Sequence, residues 1–165
     1  MNKHFYSWNR IDNLVHKIAI DMYKAEYIPD YIVGIIRGGA IPGITLSHIM
    51  DKPFIPLDIR LRDNNTGTSL AQNFQNFFQT ATKWNKHTKV LFVDDINDTS
   101  ETINWITNSI EIQKHNLKFR YKFAVVCERT AAEVSSDFLG EELTEQLLDD
   151  PDAWVVFPWE NQYEN

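Results

Sequence analysis

The stretch 90-VLFVDDINDTSET-102 decides the expected fold, because an apolar run leads directly into clustered acids and hydroxyls. The run 89–93 is short and almost wholly apolar, which is typical of a strand covered on both faces. Asp94 and Asp95 follow at its end, and a helix is predicted over 99–115, with Ile103, Ile106 and Ile110 facing inward. The stretch therefore predicts a buried strand, an acidic turn and a helix.

The same alternation extends along the rest of the chain. Further helices are predicted over 7–24, from about 40 to 50, and over 70–82. Further strands are predicted over 31–36, 54–58, 121–127 and 154–157, and Pro56 favours an edge or irregular position for its strand. We expect a flexible loop at about 59–69 and an acidic insert at about 137–150 with a possible helix at 140–150. This pattern predicts one α/β domain over 1–165, with a mainly parallel twisted sheet flanked by helices.

Composition and charge exclude several classes of function. The chain has 165 residues and a formal net charge of −7, which argues against nucleic acid or an anionic membrane as a partner. No segment approaches the roughly 20 apolar residues that span a bilayer. The first residues lack an apolar signal core and Cys127 is the sole cysteine, so we expect a cytoplasmic protein without a disulfide.

The acids and hydroxyls of the opening stretch have a pattern that suits a sugar phosphate. Asp94 and Asp95 repel each other unless a cation or hydroxyl donors meet them. Past them, Asp98, Thr99 and the following residues turn into a helix whose free N–H groups favour an anion. The stretch thus offers a sugar-diol or metal site beside a phosphate site. In the alternative interpretation, Asp98 or Thr99 only caps the helix and the acidic pair is solvated.

This stretch resembles the phosphoribosyl diphosphate (PRPP) signature of type I phosphoribosyltransferases, in which a hydrophobic strand and an acidic pair precede Asp-Thr-Gly-x-Thr. Ser100 stands at the position of the family's usual glycine. The resemblance implies a Rossmann-like fold with a small hood region and a need for Mg²⁺ held by Asp94 and Asp95. It implies Asp98 as the catalytic group that takes the proton of the base. The implied ribose and 5-phosphate site comprises Asp94, Asp95, Asp98, Thr99, Ser100, Glu101 and Thr102.

A second segment, 34-GIIRGGAIPG-43, looks like the short glycine-containing loop that binds pyrophosphate in this family. The resemblance implies that Arg37, Gly38 and Gly39 bind pyrophosphate. Glycines allow backbone amides to approach an anion closely, and the arginine can supply charge. The alternative is an ordinary turn between a strand and a helix.

A third segment, 152-DAWVVFPWE-160, looks like the ending of the 6-oxopurine branch, which comprises the xanthine and hypoxanthine-guanine enzymes. In that branch an aromatic residue stacks on the purine, and the backbone of the next residue contacts its edge. The resemblance therefore implies base binding by Trp154 and Val155. We expect Trp159 to be a core or interface aromatic.

The chain departs from the 6-oxopurine branch at 123-FAVVCERT-130. Glu128 stands where the branch has a lysine that donates to the purine O6, and an ionised glutamate cannot donate. It either accepts from an amino group of the base or turns away while Arg129 substitutes, so we expect an altered base preference. In the loop 59–69, Arg60 and Arg62 either reach phosphate when the loop closes or are surface charges.

The resemblance implies transfer of 5-phosphoribosyl from PRPP to a purine base, with release of pyrophosphate, in purine salvage. The expected assembly is a cytoplasmic homodimer with no nucleic-acid or membrane partner. One alternative is a non-catalytic regulatory domain of the same fold that binds PRPP or a nucleotide. A receiver domain phosphorylated on aspartate is a second alternative, although its acidic pair usually follows the first strand. Pyrimidines and orotate remain alternative bases.

Overall fold

The structure is a computed structural model, and it describes residues 2–59, 67–144, 147–148 and 153–160, with the backbone alone for 67–72. The helices are α1 (Trp8–Lys24), α2 (Ala40–Met50), α3 (Gly67–Ala81) and α4 (Glu101–Ile112). The strands are β1 (Lys3–Phe5), β2 (Tyr31–Ile36), β3 (Phe54–Asp58), β4 (Lys89–Asn97), β5 (Arg120–Arg129), β6 (Phe138–Leu143) and β7 (Trp154–Val156). A short 3₁₀ helix spans Pro158–Glu160.

Five strands form one parallel sheet in the order β3-β2-β4-β5-β6, which confirms the predicted fold class. β3 lies at an edge of the sheet, so Pro56, which has no backbone N–H, does not interrupt the hydrogen bonds between central strands. β2 and β4 are neighbours, with Ile32 opposite Leu91 and Gly34 opposite Val93. Their carboxyl ends therefore open at the same edge of the sheet, which is where ligands bind in open α/β sheets.

The central strands are apolar throughout because both faces of the sheet are covered. In β4, Leu91 and Val93 belong to a core with α1 and α2, whereas Val90 and Phe92 belong to a core with α3 and α4. All four side chains are fully buried. Side chains alternate between the faces of a strand, so a strand between two helical layers needs apolar residues at every position.

Helix α1 begins where the sequence predicts. Ser7 caps it by accepting a hydrogen bond from the Arg10 N–H at 3.2 Å. Ile11, Val15 and Ile18 face the sheet and are buried, as their helical spacing predicts. Among the helices of the described ranges, none has the length and apolar character needed to cross a membrane.

The largest differences between predicted and observed boundaries concern β4, α4 and α3. β4 continues to Asn97, so the acidic pair belongs to the strand and not to the turn after it. α4 begins after Ser100, whose φ of 63° is incompatible with a right-handed helix, and ends at Ile112. α3 begins at Gly67, within the predicted loop 59–69. Arg60 and Arg62 lie outside the described residues.

The predicted helix at 140–150 is wrong over the part that the structure describes as a strand. Residues Phe138–Leu143 form β6, which pairs in parallel with β5 at the other edge of the sheet. Phe138 and Leu143 are buried, and Glu141 accepts two hydrogen bonds from the Arg10 guanidinium, at 2.8 and 2.7 Å. The acidic composition suggested a solvated helix, but Glu141 instead connects β6 to α1 through Arg10. The predicted division into a domain, a loop and an insert stays a prediction.

A second, two-stranded parallel sheet joins the two ends of the chain. β1, which the sequence analysis missed, pairs with β7 so that Lys3 lies opposite Trp154 and Phe5 opposite Val156. Three residues without apolar alternation give no periodic signal. This pairing determines the position of the C-terminal segment that carries Trp154.

Two isoleucines of α1 test the assignment of its buried face. Ile18 is fully buried and Ile20 is 52% exposed, on the same helix. Truncation of a buried isoleucine leaves a cavity, so Ile18→Ala should lower the free energy of unfolding by about 2–5 kcal/mol. The matched change Ile20→Ala should alter it by less than about 0.5 kcal/mol. Urea unfolding of the two variants measures the difference, and equal losses would contradict the assignment.

Candidate active site

A cavity of about 620 Å³ lies at the carboxyl ends of β2 and β4. Every residue of the segment 94–102 lines it, together with Arg37, Gly38, Trp154, Trp159 and Glu160. The cavity thus collects side chains from three distant parts of the sequence, all of which the sequence analysis had quoted. Of the expected site residues, Gly39, Val155 and Glu128 do not line it.

The acidic pair at the end of β4 has two different environments. Asp95 is only 9% exposed, and the pKa of its carboxyl is raised to about 6, first by burial and then by the nearby carboxylate of Glu160. Asp94 is partly buried, and its side chain accepts a hydrogen bond from the Asp95 N–H at 3.0 Å. A cation or hydroxyl donors in the cavity would relieve the repulsion among these carboxylates.

The turn after β2 lies against the end of β4. A Cβ at Gly38 would overlap the Asp95 carboxylate, and a Cβ at Gly39 would overlap the backbone carbonyl of Val93. Glycine is therefore needed at both positions because the end of β4 leaves no room for a side chain, and not because of a positive φ, which neither glycine has. The turn begins with a cis peptide bond between Ile36 and Arg37. This contact brings the expected pyrophosphate loop beside the expected ribose-binding acids.

Asp98 forms an ion pair at the start of the expected phosphate segment. Its Oδ1 lies 2.6 Å from Nε of Arg129, and Nη2 of the same arginine donates to the carbonyl of Ala153 at 2.8 Å. One guanidinium thus connects Asp98 with the residue before Trp154. The N-cap residue of α4 is Ser100, and its side chain makes no capping hydrogen bond.

The C-terminal segment contributes an aromatic wall and a carboxylate. Trp154 lines the cavity and is 47% exposed, whereas Val155 is buried. Trp159, expected in the core or an interface, lines the cavity and stacks on Phe157 with ring centroids 4.9 Å apart. Glu160 is the residue that sequence reasoning missed, although its signal was present as the acid that ends the quoted C-terminal stretch.

Glu128 lies away from the cavity, which is one of the two alternatives that the sequence left open. It is buried, and its Oε2 accepts hydrogen bonds from Asn97 Nδ2 and from the Ser136 N–H, both at 2.7 Å. The neighbouring Arg129 is the residue of this pair that reaches Asp98.

The donor set suits a magnesium ion that arrives with a substrate. Asp94 and Asp95 offer carboxylate oxygens, which are the hard ligands that Mg²⁺ prefers. Within the described ranges, no three His, Cys, Asp or Glu side chains converge into a metal site of their own. Mg²⁺ commonly binds through one or two carboxylates plus substrate phosphates, and the two aspartates fit that arrangement.

A parallel α/β sheet with a polar cavity at the carboxyl ends of its central strands defines a ligand-binding protein of the doubly wound class. Residues 2–162 match the model of the phosphoribosyl transferase domain, so the chain belongs to that family. The prediction of a phosphoribosyltransferase, a transferase enzyme, is thereby confirmed. No curated protein matches the chain.

Solved structures support the same fold. The purine phosphoribosyltransferase of Pyrococcus horikoshii Ot3 is 25% identical, with a TM-score of 0.71 over 98% of this chain and 97% of that one. A hypothetical protein from Neisseria gonorrhoeae with bound ppGpp is 16% identical, with a TM-score of 0.68 over 98% and 91%. Helicobacter pylori xanthine-guanine-hypoxanthine phosphoribosyltransferase is 19% identical, with a TM-score of 0.65 over 96% and 94%. The last two likenesses concern the fold alone.

A double-mutant cycle tests the contact between the turn and the acidic strand end. Gly38→Ala should cost about 1–3 kcal/mol of stability, because its methyl group displaces the Asp95 carboxylate. In an Asp95→Ala background most of this cost should disappear, since the overlapping atoms are gone. Urea unfolding of the four proteins measures the coupling.

Gly39→Ala is the matched control for that cycle. Its Cβ meets the backbone of Val93 and not a side chain, so its cost should be the same with Asp95 or alanine at position 95. Equal costs of Gly38→Ala in both backgrounds would contradict the packing described for Asp95.

Proposed function

We propose that this protein transfers the 5-phosphoribosyl group of PRPP to a purine base and releases pyrophosphate, with Mg²⁺ as cofactor. One observation carries the proposal: Arg37 and Gly38 of the turn, the segment 94–102 and Trp154 line one cavity. Together, the turn, the acidic and hydroxyl segment and the tryptophan offer one binding group for each part of PRPP and for a purine base. The similarity to the Pyrococcus horikoshii purine phosphoribosyltransferase supports a purine as the acceptor.

The residues of the cavity would divide the binding of PRPP among them. The backbone amides at 98–102 and the hydroxyls of Thr99 and Thr102, at the start of α4, would hold the 5-phosphate. Asp94 and Asp95 would hold the ribose hydroxyls, and the turn 37–39 would hold the pyrophosphate through the Gly38 amide and the Arg37 charge, since the Gly39 N–H donates to the Ile35 carbonyl at 2.8 Å. Asp94 and Asp95 would also hold Mg²⁺, directly or through water. When bound, Mg²⁺ supplies positive charge that stabilises pyrophosphate as a leaving group.

The reaction replaces one bond at C1 of the ribose by another. The bond from C1 to the pyrophosphate oxygen breaks, and a bond from C1 to a ring nitrogen of the base forms. Asp98 would accept the proton that this ring nitrogen loses. Arg129 keeps the Asp98 carboxylate oriented through its 2.6 Å contact. Trp154 would stack on the base, and Val155 would contact its edge through the backbone.

Three features of the proposed enzyme are carried over as predictions. We propose a cytoplasmic protein without nucleic-acid or membrane partners, on the acidic composition and the single cysteine. We propose that it is a homodimer, on the family resemblance and the abundant aromatic residues. We also propose a role in purine salvage, since the reaction converts a free base into a nucleotide. The accepted base has to be found by comparing hypoxanthine, guanine, xanthine and adenine, with pyrimidines and orotate as further candidates.

Pyrophosphate release from PRPP and Mg²⁺ tests the proposal when each base is supplied separately. Release should occur with at least one purine, and Asp98→Asn should lower kcat by about 10²–10⁴-fold, because the proton acceptor is lost. Asp12→Asn, an exposed change on α1, is the matched control and should leave the rate unchanged. PRPP binding without release across the panel would favour the regulatory alternative, and full activity of Asp98→Asn would remove its catalytic role.

A further inference from the structure

Buried polar side chains connect the segment 94–102 with the loop 130–137, which joins β5 to β6. Asn97, Ser100 and Glu128 are 4%, 2% and 7% exposed. Burial of polar groups is unfavourable unless they form hydrogen bonds. The partners of these three side chains therefore indicate what each of them stabilises.

Ser100 holds the loop through its hydroxyl group. The Val134 N–H donates to Ser100 Oγ at 2.9 Å, and Ser100 Oγ donates to the Val134 carbonyl at 3.1 Å. The backbone of Ser100 is left-handed, with φ of 63°, a conformation that is unfavourable for residues other than glycine. A glycine would adopt it freely but could form neither hydrogen bond. The two bonds to Val134 offset the strain and attach the loop to the first residue before α4.

Glu128 makes the second connection between the same two segments. Its Oε2 accepts from Asn97 Nδ2 and from the Ser136 N–H, both at 2.7 Å. The other hydrogen of the Asn97 amide goes to the Val134 carbonyl at 2.7 Å. Both donors to Glu128 use one oxygen, so the contact needs an acceptor at that point. A lysine side chain there would offer only donors.

We propose that Glu128 and Ser100 are positioning residues that together hold the loop 130–137 against the segment 94–102 and so fix the shape of the 5-phosphate site. The two positions at which the chain departs from the phosphoribosyltransferase pattern then serve one purpose. The identity of the ligand, PRPP, rests on the proposed function, whereas the hydrogen bonds of Glu128 and Ser100 do not depend on it. PRPP affinity, and not the choice of base, depends on Glu128.

Substitutions that differ only in the acceptor test this role. Glu128→Ala removes the acceptor of the buried Asn97 amide and of the part-buried Ser136 N–H, so PRPP should bind about tenfold more weakly or worse in calorimetry with Mg²⁺. Glu128→Gln can keep a carbonyl oxygen at the same point and should stay within about threefold of the unmodified protein. Glu142→Ala, an exposed acid on β6, is the matched control and should have no effect.

Kinetics separate positioning from a general loss of folded protein. In Glu128→Ala the KM for PRPP should rise with the affinity loss, while the KM for each base and the order of base preference stay the same. A variant that is only partly folded loses kcat without a change in KM. Ser100→Ala and Ser100→Gly should resemble Glu128→Ala, because both lack the hydroxyl, and they supply the test if Glu128→Ala does not fold.

Hydrogen exchange of the protein without ligand tests the contacts independently of PRPP. Amides of 94–102 should exchange faster in Glu128→Ala and Ser100→Ala, and as slowly as in the unmodified protein in Glu128→Gln. If the unmodified protein binds no PRPP, the proposed function fails, and faster exchange in the variants still supports the connection. Unchanged exchange, or a changed base preference with unchanged PRPP affinity, would overturn the inference.

Discussion

The contact between the turn after β2 and the end of β4 is the constraint on which the cavity depends. The backbone at Gly38 and Gly39 lies so close to Asp95 and Val93 that a single methyl group would overlap them. This approach is possible because β2 and β4 are adjacent parallel strands, whose carboxyl ends open at the same edge of the sheet. The turn therefore lies directly against the acidic strand end, and the fold itself brings these two parts of the cavity together.

Burial of the acids at this edge has an energetic consequence that fits a binding site. The pKa of Asp95 is raised to about 6 by burial and by Glu160, so its ionised form is less favourable than that of an exposed aspartate. A bound cation or hydroxyl groups would stabilise that ionised form. Perturbed carboxyls in clefts are characteristic of functional sites, although structural networks produce them too. Here the geometry of the turn and the family membership support the functional interpretation.

The sequence predicted the fold class and most of the cavity because strong local patterns coincided with the tertiary structure. The apolar runs of β2 and β4 are continuous since helices cover both faces of the sheet, and α1 has a cap and a regular apolar face. The segment 94–102 combined a strand, acids and a helix start in one stretch. Each of these signals lies within one short stretch of sequence and can be recognised without the residues that pack against that stretch.

What the sequence did not predict depends on contacts between residues that are distant in the chain. Glu141 in β6 is paired with Arg10, which is 131 positions away in the chain, so composition alone suggested a solvated helix. The sequence left Glu128 either in contact with the base or turned away from it, and only the tertiary structure shows that it accepts from Asn97 and Ser136. Glu160 raises the pKa of Asp95 because the two carboxylates lie near each other, and the sequence does not reveal this proximity.

A crystal structure of the protein with PRPP and Mg²⁺ would test the central claim most directly. The account predicts the 5-phosphate against the backbone amides of 98–102, the ribose hydroxyls at Asp94 and Asp95, and the pyrophosphate against the turn 37–39. PRPP bound at another surface, or in this cavity with its two phosphate ends exchanged, would contradict it.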